Sequence, residues 1–105
     1  MRIGVLTKTK TAVDYRVDCD IKRPNLRAVI LLNDDYTPME FVIDVLETVF
    51  GMDEHKATRT MLQIHYEGQA VCGHYPVDIA ETKAAKVIEL ARLNDYPLFC
   101  LTKLI

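Results

Sequence analysis

The chain has no tryptophan, four glycines, four prolines and three cysteines in 105 residues, and each scarcity closes off a class of protein. Cys19, Cys72 and Cys100 are an odd number with no CxxC pair, so neither a disulfide framework nor a zinc ribbon fits. There are no internal repeats and no low-complexity segments. No apolar run approaches the roughly 18 to 20 residues that cross a bilayer. Met1 to Lys10 contain no signal-peptide core, which sets the expectation of a cytoplasmic location and no membrane partner. A positive surplus is missing too: 13 Lys and Arg face 15 Asp and Glu, a net charge of −2. The cations are scattered and form no stripe that could track a phosphate backbone, so no nucleic-acid partner is expected.

What the chain does have is apolar content: half of its residues are hydrophobic, enough to fill one core at this length. Residues 1–24 show no sustained hydrophobic period and end in Lys22-Arg23-Pro24, a helix block that marks a boundary. They are expected to form a flexible N-terminal extension, with some strand character at Val5 and from Ala12 to Val17. Residues 25–105 are expected to form one core domain that acts as a monomer. Cys19 falls in polar surroundings, whereas Cys72 and Cys100 fall in apolar strand-like runs and read as small buried hydrophobes.

From Leu26 the pattern is regular. Ala28 to Leu32 is an apolar run with β-branched Val29 and Ile30, so Leu26 to Leu32 reads as a buried strand. Pro38 to Phe50 places Val42, Val45, Leu46 and Val49 on one helical face, with Gly51 as its stop. Asp53 caps a second helix that runs to about Glu67 and ends at Gly68, and Ala70 to Tyr75 is a short strand. Asp78 and Glu81 read as a capping pair that opens a third helix, whose Ala80, Ala84, Val87, Ile88 and Ala91 form an apolar stripe. Asn94 and Pro97 end it, and Leu98 to Ile105 is the last strand. The order β-α-α-β-α-β predicts an α+β sandwich, a three-stranded sheet covered on one face by three helices.

The most informative stretch follows the first strand: Asn33-Asp34-Asp35-Tyr36-Thr37-Pro38-Met39-Glu40. It places side-chain acceptors where a strand ends, a place to hold a cation or an amine. Thr37 as N-cap, Pro38 at the first helical position and Glu40 as the capping-box carboxylate predict a rigid helix start. In the second helix Met61, Ile64 and His65 share a face. If the first two helices pack as an antiparallel pair joined through Gly51-Met52, His65 comes near Asn33, Asp34 and Met39. The result is a pocket with polar acceptors at its rim and apolar walls, suited to an ammonium next to a hydrophobic side chain. The free N-terminus of a peptide is such a ligand. An imidazole accepts from an ammonium only when neutral, so binding should weaken below about pH 6, where histidines charge.

Alternative readings fit less well. A hydrolase using Asp34 or Asp35 with His65 has no Ser, Thr or Cys nucleophile obviously beside the imidazole. A metal site from Asp34, His65, Cys72 and His74 puts the last two on one strand face but matches no zinc spacing. A ribosome-associated module shares the element order yet has no use for the acidic turn or His65.

The runs LLNDDYTPMEFVIDVLETVF, ATRTMLQIHYEGQAVCG and VDIAETKAAKVIELAR, with PLFC near the end, resemble the ClpS family of Clp protease adaptors across about residues 26–101. The resemblance implies a non-catalytic adaptor without cofactor or metal. Such an adaptor binds substrates with bulky hydrophobic N-terminal residues (Leu, Phe, Tyr, Trp) and delivers them to a ClpA-type AAA+ unfoldase. It implies that Asn33, Asp34 and His65 hold the α-amino group. Asp35, Thr37 and Pro38 would shape the pocket or contact the first peptide units, and Met39, Met61, Ile64 and Leu98 would line it. Asp78, Glu81, Thr82 and Lys83 would contact the N-terminal domain of the unfoldase, and the extension would be the segment the unfoldase engages.

Overall fold

The structure, a computed structural model, describes residues 26–105; the readings of residues 1–24 as an extension and of Cys19 lie outside them. Six elements follow in the expected order: β1 (Leu26–Leu32), α1 (Met39–Thr48), α2 (Glu54–Glu67), β2 (Gln69–Pro76), α3 (Val77–Leu93) and β3 (Phe99–Leu104). The strands form one sheet in the order β2-β1-β3, antiparallel throughout. β1 is the centre, which is why Ala28 to Leu32 form an unbroken apolar run. Val29 and Leu31 point into a core shared with Ala70, Cys72 and Cys100 of the flanking strands and with the apolar faces of all three helices. On the other face of the sheet, Val71 and Phe99 are exposed.

Several local readings hold because one residue dictates them. Asp53 caps α2, its carboxylate accepting the Lys56 N–H at 2.8 Å. Gly51 takes φ +69 after α1, its N–H bonding to the Glu47 carbonyl at 3.1 Å while the Met52 N–H reaches back to Leu46 at 3.2 Å. That is a Schellman stop, which needs a left-handed residue at this position. Gly68, at φ +93, ends α2 in the same hand. The α3 stripe also holds, with Ala80, Ala84, Val87 and Ala91 buried and Ile88 packed against the core.

Three readings change. Thr37 does not cap α1: the helix begins at Met39, Pro38 stands at the cap position, and no side chain caps the end. The Thr37 hydroxyl is drawn instead to the Asp34 carboxylate. Asp78 and Glu81 do not cap α3, because β2 runs directly into the helix at Val77 with Pro76 in the cap position and no side-chain cap. With no intervening loop residue, Asp78 is already inside the first turn. Cys72 and His74 do not share a strand face. The register steps from Val29↔Gly73 to Ile30↔Val71, which leaves Cys72 as the extra residue of a β-bulge; Cys72 is buried and His74 exposed.

Candidate functional site

The end of β1 and the end of α2 are tied together by backbone. Leu32 pairs with Gln69, and the Asn33 N–H donates to the Gly68 carbonyl at 2.9 Å. Gly68 in turn donates to the Ile64 carbonyl at 2.9 Å, closing the last turn of α2, in which His65 sits. A left-handed glycine is needed here because the chain must leave the helix and start β2 within one residue.

The next residues fold back on Asp34. Its Oδ1 accepts the N–H groups of Tyr36 and Thr37, both at 2.8 Å. The Thr37 hydroxyl lies 3.0 Å from Oδ1 and 2.7 Å from Oδ2. This Asx turn, with a threonine closing it, satisfies backbone donors that the turn would otherwise leave open. Pro38 then begins α1, its carbonyl accepting from Phe41 at 3.1 Å and Val42 at 3.2 Å. The sharp bend makes the side chains of Asn33, Asp34, Asp35 and Thr37 converge, while Tyr36 points to solvent.

They converge on a cavity of about 180 Å³ between this turn, the start of α1 and the end of α2. Asn33, Asp34, Asp35, Thr37 and His65 form its polar part, and Met39, Val42, Met61 and Ile64 its apolar part. The apolar walls come from the core itself, for Val42, Met61 and Ile64 are almost fully buried. Met39 is the exception at 44% exposed. His65 is also exposed and meets Tyr66 edge-on, ring centroids 5.0 Å apart.

The cavity thus gathers Asn33, Asp34, Asp35 and Thr37 of the turn, Met39 of α1 and Met61, Ile64 and His65 of α2. Pro38 does not line the cavity but sets the start of α1. Leu98 does not line it either; it is buried in the core and borders a separate groove beside Ile88, Arg92 and Tyr96. Val42 is a wall residue that the sequence reading assigned to the core face. Its signal is its place one turn after Met39, which puts both on one side of α1.

Asp78, Glu81 and Thr82 are exposed on the first turns of α3. Lys83 is half-buried: its ammonium donates to the Val49 carbonyl at 2.8 Å and lies 5.1 Å from the Tyr75 ring and 5.9 Å from that of Phe50. Thr82 and Lys83, with Thr48, Val49, Lys86 and Leu90, line a groove of about 480 Å³ between the end of α1 and α3. Cys72 and Cys100 are remote from this chemistry. Burial pushes both thiols up to about 12, so neither is a ready nucleophile.

With the geometry in view, comparison with known proteins is informative. The model of the family described as "ATP-dependent Clp protease adaptor protein ClpS" matches residues 22–101. The chain belongs to the ClpS family. Among ClpS proteins, that of Shewanella pealeana is 51% identical over 88 residues, covering 84% of this chain and 86% of its own. That of Vibrio cholerae is 49% identical over 96 residues, covering 91% and 83% respectively. The solved structure of Agrobacterium tumefaciens ClpS2 bound to L-phenylalaninamide superposes with a TM-score of 0.77 at 46% identity, over 79% of this chain and all of that one.

Proposed function

We propose that the protein is an adaptor, not an enzyme, that captures substrates through a bulky hydrophobic N-terminal residue and passes them to a Clp unfoldase for degradation. The observation that carries this reading is the cavity, which places polar acceptors beside apolar walls at the scale of one side chain. An apolar cavity of about 150 Å³ suffices for benzene, so about 180 Å³ accepts a phenyl or leucyl group. The related ClpS2 bound to phenylalaninamide supports the same ligand chemistry.

In this reading the α-amino group meets Asn33, Asp34 and the imidazole of His65. Asp34 holds the turn through Oδ1, which accepts two backbone N–H groups, and its Oδ2, which accepts the Thr37 hydroxyl at 2.7 Å, offers its remaining lone pair and the carboxylate charge to the amine. Asp35 adds a second carboxylate at the rim. The first side chain enters between Met39, Val42, Met61 and Ile64. Burying a Leu or Phe side chain contributes about 1.5–3 kcal/mol, and each hydrogen bond to the charged amine about 1.5–3 kcal/mol before association costs. Neither alone gives usable affinity. Together they reach the micromolar range, about −8 kcal/mol, so both a free amine and a large side chain are required. A branched Cβ would press on Met39, which excludes Ile and Val.

The unfoldase of this reading is of the ClpA type, docking by its N-terminal domain on Asp78, Glu81, Thr82 and Lys83, and the work is done by a monomer in the cytoplasm. The test is fluorescence binding of short peptides that differ only in the first residue. Leu, Phe, Tyr and Trp starts should bind at micromolar affinity, with Ile, Val and N-acetylated peptides at least tenfold weaker. Equal binding of the acetylated peptide would defeat the proposal.

A further inference from the structure

We propose that Met39 is a site of reversible oxidation by peroxide whose sulfoxide closes the cavity to apolar side chains. The inference rests on the functional reading above and adds regulation to the same site. Met39 is 44% exposed and lines the cavity, whereas Met61, which shares that wall, is 7% exposed. Met52 is partly buried against the core. Among the sulfurs of the described residues, Met39 therefore combines the greatest access to solvent with a position in the cavity.

The chemistry is a two-electron oxygen transfer. The thioether sulfur attacks one peroxide oxygen, an S–O bond forms as the O–O bond breaks, and the departing hydroxide takes a proton to leave as water; sulfur is oxidised and peroxide reduced. Cys72 and Cys100 compete poorly. Both are buried, burial holds them as thiols up to about pH 12, and it is the thiolate that attacks peroxide. A methionine sulfoxide reductase reverses the change, converting two thiols to a disulfide and releasing the oxygen as water.

The consequence follows from the walls. A sulfoxide oxygen is a strong acceptor, and Val42, Met61 and Ile64 offer it no side-chain donor. Buried against them it is unpaired; turned to the rim it takes up Asn33 or His65, which the amine needs; swung out to water it leaves the cavity without a wall. Each outcome weakens binding of a ligand that joins an amine to an apolar side chain. The fold is untouched, because the other core sulfurs stay reduced.

The test uses the full chain carrying Cys19→Ser, which removes a thiol outside the described residues. The protein is treated with graded hydrogen peroxide, and Met39 oxidation by mass spectrometry is followed alongside affinity for a fluorescent peptide beginning with Phe. Oxidation at Met39 should precede that at Met52 and Met61 and weaken binding about tenfold, about 1.4 kcal/mol. Reductases for both sulfoxide epimers should restore it. Met39→Leu, compared with its own untreated affinity, should lose less than about twofold. Met39 fully oxidised with unchanged affinity overturns the proposal, as does an equal loss in Met39→Leu or earlier oxidation of Met61. If the untreated protein binds no Phe-starting peptide, the functional reading fails and the switch fails with it.

Discussion

At the scale of single residues, the site divides labour between groups that hold the turn and groups left to meet a ligand. Thr37 and both carboxylate oxygens of Asp34 are engaged with each other or with backbone; Asn33 and His65 line the cavity without a side-chain bond to another described residue. Asn33→Ala and His65→Ala should each weaken binding of a Leu-starting peptide by at least about tenfold, from the loss of one charge-assisted hydrogen bond, with the thermal midpoint almost unchanged. Isothermal titration and a melting curve on the same samples separate the two effects. A variant that melts normally and binds normally would remove that residue from the amine site. The sequence made these two residues legible as neighbours of one pocket, because Asn33 follows the first strand and His65 shares a helix face with Met61 and Ile64; their role toward an amine was implied by the family resemblance. It hid the role of Thr37, because a threonine followed by proline and a glutamate three residues on looks like a helix cap. Only the fold shows that a carboxylate three residues upstream competes for the hydroxyl.

At the scale of elements, two caps on α2 look equivalent but do different work. Asp53 satisfies an N–H at the start of the helix, far along the chain from the cavity. Gly68 ends the helix and its carbonyl holds Asn33. A Cβ at Gly68 meets nothing within 4 Å, so the cost of Gly68→Ala is its left-handed φ of +93, about 1–2 kcal/mol. Asp53→Ala costs about 1 kcal/mol through the lost cap. We expect both variants to lose stability in denaturant titrations by similar amounts, and only Gly68→Ala to lose peptide affinity. Both glycine stops were readable from sequence, since a left-handed position favours glycine. The bulge at Cys72 was not, because alternation along a strand gives no sign of where one residue is left over. Val42 was missed as a wall for a related reason: a residue on the core face of a helix can also floor a cavity, and periodicity does not distinguish the two.

At the scale of the molecule, α1 joins the two surfaces. Its first residue, Met39, walls the cavity, and the Val49 carbonyl past its end holds Lys83; ten helical residues span about 15 Å. If the proposed function holds, a substrate terminus and a partner protein sit on one small domain without sharing side chains. The same compactness fixes its response to alkali. Cys72 and Cys100 lie on strands either side of β1 and are held as thiols up to about 12 by burial, from an ordinary value of 9.0. Their folded-state values are raised, so the fold is favoured below pH 9 and loses that advantage as the pH climbs toward 12. Denaturation midpoints should fall across this window, and Cys72→Ala with Cys100→Ala should flatten the fall. The element order and the one-sided helical layer were evident from the pattern of apolar runs, whereas the placing of Leu98 away from the cavity depends on how α3 hands over to β3.

The central claim is that the bend after β1 and the last turn of α2 form one binding surface for a free amino terminus and its first side chain. Backbone amide shifts recorded while phenylalaninamide is titrated into the labelled protein test this most directly. The account predicts saturable shifts concentrated in residues 33–42 and 61–68, abolished when the ligand's amine is acetylated. Shifts centred instead on the groove between α1 and α3, or equal shifts with the acetylated ligand, would contradict it.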